Sequence, residues 1–295
     1  MSCVHEIIQF EFAGRNRTTA LVRPSVIREQ CSLPLLLVFH GMGACGEMVV
    51  DDYELVDLAE QEQVIVAAPD ALAVWPERPV SFRRNPRLWR TRPLHQGEPV
   101  DEIQFVKSLI NALTIHLSKA IDSARIYACG FSNGGQLVWK LAVEDAALLA
   151  AAGIVCSTHC PPPKPGTPPL PVIWVLGDSD PFCPIDGGTI EPPWGGSHIS
   201  KPVRDVRSLW LAAMDIAQEP VSSVIDNGVQ REIFHGDCSD RTLEQITVMN
   251  MGHHWPGSPS RLGERAAGPI RDPFSATYEI LRFCKIFSRG DFATT

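Results

Sequence analysis

The sequence predicts an α/β fold in which a mostly parallel central sheet of about eight strands carries helices on both faces. Two observations predict this fold class. Short, almost continuously apolar runs alternate along the chain with longer stretches in which apolar residues recur every three or four positions. Continuous apolar runs are typical of strands buried on both sides, as in a parallel sheet covered by helices. Folds of this class bind ligands at the carboxyl ends of their strands.

The predicted strands begin with a hairpin of residues 7–12 and 18–22, separated by Gly14, Arg15 and Asn16. Further apolar runs predict buried strands at 35–39, 64–68, 125–129, 152–156, 172–176 and 245–249. Helices are predicted between them, at 49–61, 100–119, 134–147, 203–217 and 275–287. The clearest is 100–119, because its apolar residues lie three or four positions apart and two acidic residues occupy its first turn.

The chain of 295 residues fits a single domain spanning 1–295. Its 44% hydrophobic and 20% charged residues are ordinary for a globular protein. Proline is the exception, since eleven of the 25 prolines lie between Pro161 and Pro193. Proline fixes φ and reduces the freedom that a loop loses on folding. We therefore expect 157–200 to form a stiff wall or cap of a pocket, with 81–98 as a second such loop.

The formal net charge of −8 argues against a general surface for nucleic acids or anionic membranes, because binding to either begins with a basic patch. No uncharged apolar run reaches the ~18 residues of a membrane span. His5 and Glu6 stand where an export signal would have its apolar stretch. These features predict a soluble, cytoplasmic protein that binds neither nucleic acid nor membrane, and they leave the oligomeric state open.

The nine cysteines are scattered and odd in number, which favours reduced thiols over a disulfide framework. Cys156, His159 and Cys160 could supply three metal ligands, but no fourth ligand stands at a motif spacing. We therefore expect neither a metal nor another cofactor.

The segment Gly130-Phe-Ser132-Asn-Gly134 has the pattern G-x-S-x-G between a predicted strand and a predicted helix. In this pattern a sharp turn holds a serine hydroxyl above a sheet, and the two glycines leave room for the turn. The first amides of the following helix point toward negative charge that develops near the serine. Ser132 is therefore a candidate nucleophile. The alternative is a turn whose glycines serve close packing only.

Candidate partners of Ser132 follow later predicted strands in the order acid, then histidine, as this pattern requires. Asp178 and Asp180 come two strands after the serine, and His253 and His254 come after the next strand. The pattern alone does not choose within either pair. Asp-Ser-Asp-Pro is also good turn chemistry, and a histidine can be a satisfied core residue.

His40 and Gly41 directly follow the strand 35–39. A His-Gly pattern at this point is typical of a loop whose backbone amides complete an oxyanion hole. His40 itself is expected to be structural. Because the serine, the acids, the histidines and this loop each follow a strand in the required order, a serine nucleophile is the favoured interpretation.

Together these motifs resemble the feruloyl esterase and poly(3-hydroxybutyrate) depolymerase-like branch of the α/β-hydrolases. The resemblance extends from about residue 7 to residue 287. It is carried by His40-Gly41, Val100-Asp-Glu-Ile-Gln-Phe-Val106, Gly130-Phe-Ser-Asn-Gly-Gly135, Gly177-Asp-Ser-Asp-Pro181 with Pro184 and Gly187-Gly188, and Gly252-His-His-Trp-Pro-Gly257.

The resemblance implies the α/β-hydrolase fold and hydrolysis of carboxylic esters by Ser132 without a cofactor. It implies that Asp180 is the acid, since the family's acid directly precedes the first proline of an Asp-Pro-x-x-Pro stretch. It implies that His253 is the base, since the base follows the glycine of Gly-His-x-Trp-Pro-Gly. The backbone N–H groups of Met42 and Asn133 would then form the oxyanion hole.

The resemblance leaves the substrate open between small aromatic (hydroxycinnamoyl-type) or short-chain acyl esters and polyesters or their oligomers. Family members are often exported, and attack on a solid polyester usually relies on a linker and a polymer-binding module. This sequence shows none of these features, which favours the small esters. Other interpretations are a peptidase or acyltransferase with the same three residues, and a non-catalytic binding protein.

Two features of the predicted loops bear on the substrate. Trp89, Trp194 and Trp255 fall in or beside these loops, which favours an apolar or aromatic acyl group; alternatively, they only pack the loops. The segment 83–92 has five arginines in ten residues. It is either a solvated face or a site that attracts a substrate bearing a carboxylate.

Overall fold

The computed structural model describes residues 3–27, 31–92, 99–118, 120–164 and 166–289. Residues 93–98 of the predicted loop 81–98 lie outside these described residues, as do Lys119 at the end of the predicted helix 100–119 and Pro165 in the loop 157–200. In chain order the elements are β1 (Cys3–Phe12), β2 (Arg15–Pro24), β3 (Leu33–Phe39), α1 (Gly46–Asp52), α2 (Leu55–Glu62), β4 (Ile65–Pro69), α3 (Glu102–His116), β5 (Ile121–Phe131), α4 (Asn133–Glu144), a 3₁₀ turn (Ala146–Leu148), β6 (Ala151–Val155), β7 (Val172–Gly177), β8 (Gly188–Ile190), β9 (His198–Ser200), α5 (Val203–Ala213), β10 (Ser222–Asp226), β11 (Val229–His235), β12 (Thr242–Val248), α6 (Glu264–Ala267) and α7 (Ala276–Cys284).

Ten strands form one sheet in the order β1-β2-β4-β3-β5-β6-β7-β12-β11-β10. The six central strands, from β4 to β12, are parallel to one another, and an antiparallel pair extends each edge. The predicted α/β class with a mostly parallel sheet is therefore confirmed. A separate antiparallel pair, β8 and β9, lies within the predicted loop 157–200.

The sheet has two strands more than the sequence predicts, because the hairpin of β10 and β11 has no buried apolar run. All of β10 is exposed, and β11 is mostly half-buried. The sequence feature that indicates this hairpin lies in its turn instead. Asn227 and Gly228 both have positive φ, at 49° and 77°, as the two-residue turn of a tight hairpin requires.

Helices cover both faces of the sheet, as predicted. One core lies under α3, α4 and α5, and the other lies under α1, α2 and α7. Neighbouring residues of β3 alternate between these cores, with Leu35 and Leu37 in the first and Leu36 and Val38 in the second. Burial on both faces explains why the central strands are apolar at nearly every position.

The prediction of one continuous helix over 49–61 is wrong. The structure has two helices, α1 and α2, separated by Tyr53 and Glu54. Glu54 has a left-handed backbone with φ 55°, which ends one helix and starts the next in a new direction. Among the helices of the described residues, none is both long enough and apolar enough to cross a membrane.

Four of the parallel strands, β3, β5, β7 and β12, end at the same edge of the sheet. The loops that follow them carry His40, Ser132, Asp180 and His253. The topology therefore brings residues that are more than 200 positions apart in sequence to one place.

Candidate active site

Ser132 stands in a sharp turn between β5 and α4. Its backbone has φ 53° and ψ −116°, a conformation that residues other than glycine rarely adopt. Two hydrogen bonds hold the turn: the Ser132 N–H donates to the Val155 carbonyl at 2.9 Å, and the Gln136 N–H donates to the Ser132 carbonyl at 3.0 Å. Such strain persists where the surrounding structure requires it, and here it directs the hydroxyl into a cavity.

The glycines on either side of Ser132 are required by close packing. A Cβ atom on Gly134 would lie 2.1 Å from the carbonyl oxygen of Phe39, at the end of β3. A Cβ atom on Gly130 would lie 2.4 Å from the carbonyl carbon of Gly134. The first turn of α4 therefore packs directly against backbone, with no space for a side chain.

Asp180 and His253 are joined by a buried hydrogen bond. The Nδ1 atom of His253 lies 2.8 Å from Oδ2 of Asp180, and both side chains are at most 4% exposed. The other carboxylate oxygen, Oδ1, accepts hydrogen bonds from the N–H groups of Phe182 and Cys183, at 2.8 and 3.0 Å. The imidazole packs against the rings of Phe131 and Phe182, at centroid distances of 4.7 and 5.1 Å. The histidine ring is thus fixed in orientation, with Nδ1 toward the carboxylate.

The neighbouring residues of the two candidate pairs have other partners. Asp178 is exposed and accepts hydrogen bonds from the Asn250 N–H at 2.7 Å and from the Ser179 hydroxyl at 2.9 Å. Nε2 of His254 lies 2.6 Å from Oδ1 of Asp272, away from Asp180. Geometry therefore brings Asp180 together with His253, and Asp178 is a turn former.

Met42, in the loop after β3, and Asn133, at the start of α4, line the same cavity as Ser132 and His253. Within the described part of the chain, the backbone N–H of neither residue has a hydrogen-bond acceptor. Backbone N–H groups without an acceptor beside a cavity can stabilise a negatively charged oxygen there.

The Asn133 side chain and Trp89 hold the two donor loops together. Oδ1 of Asn133 accepts from the Trp89 N–H at 2.8 Å, and Nδ2 donates to the Trp89 carbonyl at 3.1 Å. The indole N–H of Trp89 donates to the carbonyl of His40 at 2.9 Å. The chain from Asn133 through Trp89 to His40 thus links α4 to the loop after β3.

His40 is a buried structural residue, as expected from the sequence. Its Nδ1 lies 2.7 Å from the Gly41 carbonyl, and its Nε2 accepts from the Ala71 N–H at 3.0 Å. One ring nitrogen must donate and the other accept, so the neutral imidazole fits these partners. Burial lowers the pKa of His40 to about 4.

Glu102 holds the loop that contains Trp89 and Arg90. Oε1 of Glu102 accepts from the Arg90 N–H at 3.1 Å, and Oε2 lies 3.8 Å from Nη2 of Arg17. The Arg17 guanidinium stands 3.5 Å above the ring of Phe105. Asp101 caps α3 by accepting from the Gln104 N–H at 3.0 Å. The Val-Asp-Glu motif of the sequence thus holds the loop of Arg90 and caps α3, which the sequence pattern alone does not indicate.

The cavity has a volume of about 660 Å³ and contains Ser132 and His253 in its lining. Of the three tryptophans singled out in the sequence, only Trp194 is half-buried at its wall, where it contacts Phe82 and Phe182 at ring distances of 5.9 and 5.0 Å. Together these three side chains form an aromatic wall.

The other two tryptophans are almost completely buried. Trp89 is 1% exposed and packs against Phe39. Trp255 is 2% exposed, stacks on Tyr53 at 4.0 Å and donates its indole N–H to the Thr277 hydroxyl. Both residues also line the cavity, but most of each ring packs against the protein, so their predicted contact with substrate stays a prediction.

The cysteine and histidine segment 156–160 does not converge on one point. Instead, the ligating atoms of Cys156, Asp180 and His253 lie within 4.8 Å of one another. Both Asp180 oxygens already accept hydrogen bonds, and Nδ1 of His253 is engaged with one of them. Burial raises the pKa of the Cys156 thiol well above its usual range, which opposes the thiolate that a metal requires.

Both loop segments predicted from the sequence contribute to cavity walls. Phe82 and Arg92 come from 81–98, and Phe182 and Trp194 come from 157–200. Residues 93–98 lie outside the described residues.

Comparison with known proteins gives two sequence relatives and a wide set of structural ones. The chain is 28% identical over 260 residues to a protein named "Putative esterase NocK" from Nocardia uniformis subsp. tsuyamanensis, covering 83% of this chain and 72% of that protein. It is 23% identical over 244 residues to feruloyl esterase B of Piromyces equi, covering 79% of this chain and 42% of that protein. No protein-family model matches the chain.

Among solved structures, acetyl xylan esterase from Aspergillus awamori superposes with a TM-score of 0.57 at 15% identity, covering 84% of this chain and 94% of that one. At this identity the superposition shows a shared fold. Fold and sequence relatives together define the chain as an esterase of the α/β-hydrolase type. In chemical terms it is a carboxylic ester hydrolase.

The buried, neutral His40 predicts a loss of stability in acid. The unfolded chain binds a proton at this residue below about pH 6.5, whereas the folded protein does not until about pH 4, so stability falls as the pH drops through this interval. Between pH 7 and pH 5, the unfolding free energy of the wild type is expected to fall by about 2 kcal/mol because of His40. We expect this part of the fall to be absent in His40→Gln. Urea unfolding at both pH values measures it.

The matched control is His5→Gln, which replaces an exposed histidine of β1 and is expected to keep the wild-type pH dependence. Equal pH dependence in all three proteins would show that His40 does not remain neutral in the folded state.

Proposed function

We propose that the protein hydrolyses small carboxylic esters through Ser132 as nucleophile, His253 as general base and acid, and Asp180 as the group that orients the histidine. The observation that carries this proposal is the buried 2.8 Å contact between Asp180 and His253, because His253 lines the same cavity as Ser132. The strained backbone of Ser132 supports the same role, because such strain is typical of functional turns.

The contact between Asp180 and His253 supports the following sequence of steps. With Nδ1–H donating to Asp180, the neutral His253 has its Nε2 lone pair free to accept the Ser132 proton as the hydroxyl attacks the ester carbonyl. The resulting imidazolium is stabilised by the carboxylate and protonates the leaving alcohol. Water then repeats the sequence on the acyl-enzyme and releases the acid.

The N–H groups of Met42 and Asn133 would stabilise the negative oxygen of each tetrahedral intermediate. Removing one donor of this kind costs about 3–4 kcal/mol in the barrier. Because these donors are backbone groups, their position depends on the loops that hold them. His40, Trp89 and the Asn133 side chain are therefore positioning residues for the reaction.

The aromatic wall favours an aromatic acyl group over a purely aliphatic one. Trp194, Phe182 and Phe82 present ring faces and edges to the cavity, and aromatic rings pair favourably with one another. The name of the Piromyces relative, feruloyl esterase B, points to the same class of substrate. We therefore propose hydroxycinnamoyl-type esters, with short-chain acyl esters as the simpler substrates of the same site.

A fluorophosphonate probe tests the nucleophile. We expect the wild type to be labelled and Ser132→Ala to remain unlabelled, because the probe forms a bond only with an activated serine oxygen. Ser179→Ala removes an exposed serine of the acid loop and is the control that keeps the label. Labelling of Ser132→Ala would place the nucleophile elsewhere, and an unlabelled wild type would favour a binding protein.

Substitution of the two aspartates tests the acid. Asp180→Asn leaves the size of the side chain but not its charge, and we expect kcat for p-nitrophenyl butyrate to fall by about 10⁴. Asp178→Asn changes an exposed turn former and is expected to stay within about twofold, since surface substitutions away from the site act weakly. Similar losses in both variants, with unchanged circular dichroism, would argue against the role of Asp180.

An ester panel tests the acyl preference. We expect Trp194→Ala to lower kcat/KM roughly tenfold for methyl ferulate relative to p-nitrophenyl acetate, because an aromatic partner is removed from the wall. Trp75→Ala, which replaces a tryptophan outside both cavities, is the control. The panel includes a 3-hydroxybutyrate oligomer and a peptide, and a preference for either would overturn the proposed substrate class.

A further inference from the structure

A second cavity of about 950 Å³ opens beside the one that contains Ser132. The two cavities share lining residues from two loops, from β9 and from α4, namely Thr91, Arg92, Gln136, Phe182, Cys183 and His198. Gln136 lies one turn along α4 from Ser132, and its N–H donates to the Ser132 carbonyl. The second cavity therefore adjoins the site through these shared side chains.

Two cationic side chains at this cavity have no carboxylate partner among the described residues. Arg92 and Lys201 line it, and neither has a carboxylate within 4.0 Å in the described part of the chain. Two carboxylates also line the cavity, and its four cations, Arg90, Arg92, Lys140 and Lys201, outnumber them. Glu144 pairs with Lys140 at 2.5 Å, and Asp101 caps α3.

Arg92 is the arginine of the segment 83–92 that lines both cavities. Arg87 pairs with Asp70 at 3.5 Å and lines neither. Arg90 also lines the second cavity, but it is buried, and its guanidinium donates to backbone carbonyls. Arg83 and Arg84 are exposed and line neither cavity.

The pKa values of the two histidines at the second cavity are affected by the same positive charges. Burial, together with the positive charges of Arg92 and Lys201, lowers the pKa of His159 to about 4. Burial and Arg92 also lower the pKa of His198. Both rings are therefore neutral near pH 7, and both line the second cavity together with Arg92.

We propose that the second cavity is a carboxylate-binding subsite, and that the preferred substrates are esters that carry a free carboxylate on either the acid or the alcohol half. The proposal rests on the proposed function and narrows its substrate class. A guanidinium presents two parallel N–H donors that match the two oxygens of a carboxylate, and Lys201 adds a second positive charge. The protein as a whole has a net charge of −8, so the positive charge at this cavity attracts an anionic ester to this place on the protein.

Matched pairs of esters test the subsite. For the acid half, the pair is p-nitrophenyl monoadipate and the neutral p-nitrophenyl adipamate. For the alcohol half, it is 4-butyryloxybenzoate and 4-butyryloxybenzamide. We expect kcat/KM to be higher for the anionic member of at least one pair, and this preference to shrink as ionic strength rises.

The variants are Arg92→Gln and Lys201→Gln, with Arg84→Gln as the control. Each variant loses one positive charge, but Arg84 lines neither cavity. We expect the ratio of kcat/KM for anionic over neutral ester to fall about fivefold in each of the first two variants and to stay at the wild-type value in the control. No wild-type preference for either anionic ester, or the same ratio in Arg92→Gln and Arg84→Gln, would overturn the proposal.

A binding measurement separates this proposal from the proposed function. Calorimetric titration of Ser132→Ala with intact 4-butyryloxybenzoate and monoadipate needs no turnover. Binding that weakens when Arg92→Gln is added supports the subsite even if the wild type hydrolyses no ester, which would overturn the proposed function alone. Equal binding of the anionic and neutral members of both pairs would overturn the subsite.

Discussion

The close contact between the first turn of α4 and the end of β3 is the constraint on which the rest of the site depends. Gly134 approaches the Phe39 carbonyl so closely that no side chain fits between them. This contact sets the turn at Ser132 directly beside the loop that contains Met42. The serine hydroxyl, the two unpaired N–H groups and the His40–Trp89–Asn133 hydrogen bonds all follow from the same approach of helix to strand.

The fold was largely predictable because the sheet is buried on both faces. Runs such as Leu35 to Phe39 are apolar at every position only when helices cover both sides, so periodicity alone predicts the class. The exposed hairpin of β10 and β11 lacks that signal and was missed, although Asn227 and Gly228 mark its turn. The break between α1 and α2 was missed because Glu54 takes a left-handed conformation that its residue type does not favour.

The candidate site was predictable where residue order along the chain carries information. Ser132, Asp180 and His253 each follow a strand, and parallel strands that end at one edge bring such residues together. Side-chain burial carries no such signal. Trp89 and Trp255 stand near the site in sequence, yet one bonds the His40 carbonyl and the other stacks on Tyr53. Which arginine of 83–92 lines both cavities was equally hidden, because that depends on the path of the folded loop.

The hydrogen bonds around Trp89 have a consequence for the thermal behaviour of the enzyme. Glu102 holds the Arg90 N–H, Asn133 holds both backbone groups of Trp89, and His40 holds Ala71, so the loops beside the serine are ordered in the folded chain itself. Their conformational entropy is lost during folding, and little remains to be lost when a substrate arrives. We therefore expect activity and global structure to be lost at the same temperature on heating, because the loops of the site are held by the same hydrogen bonds as the fold around them.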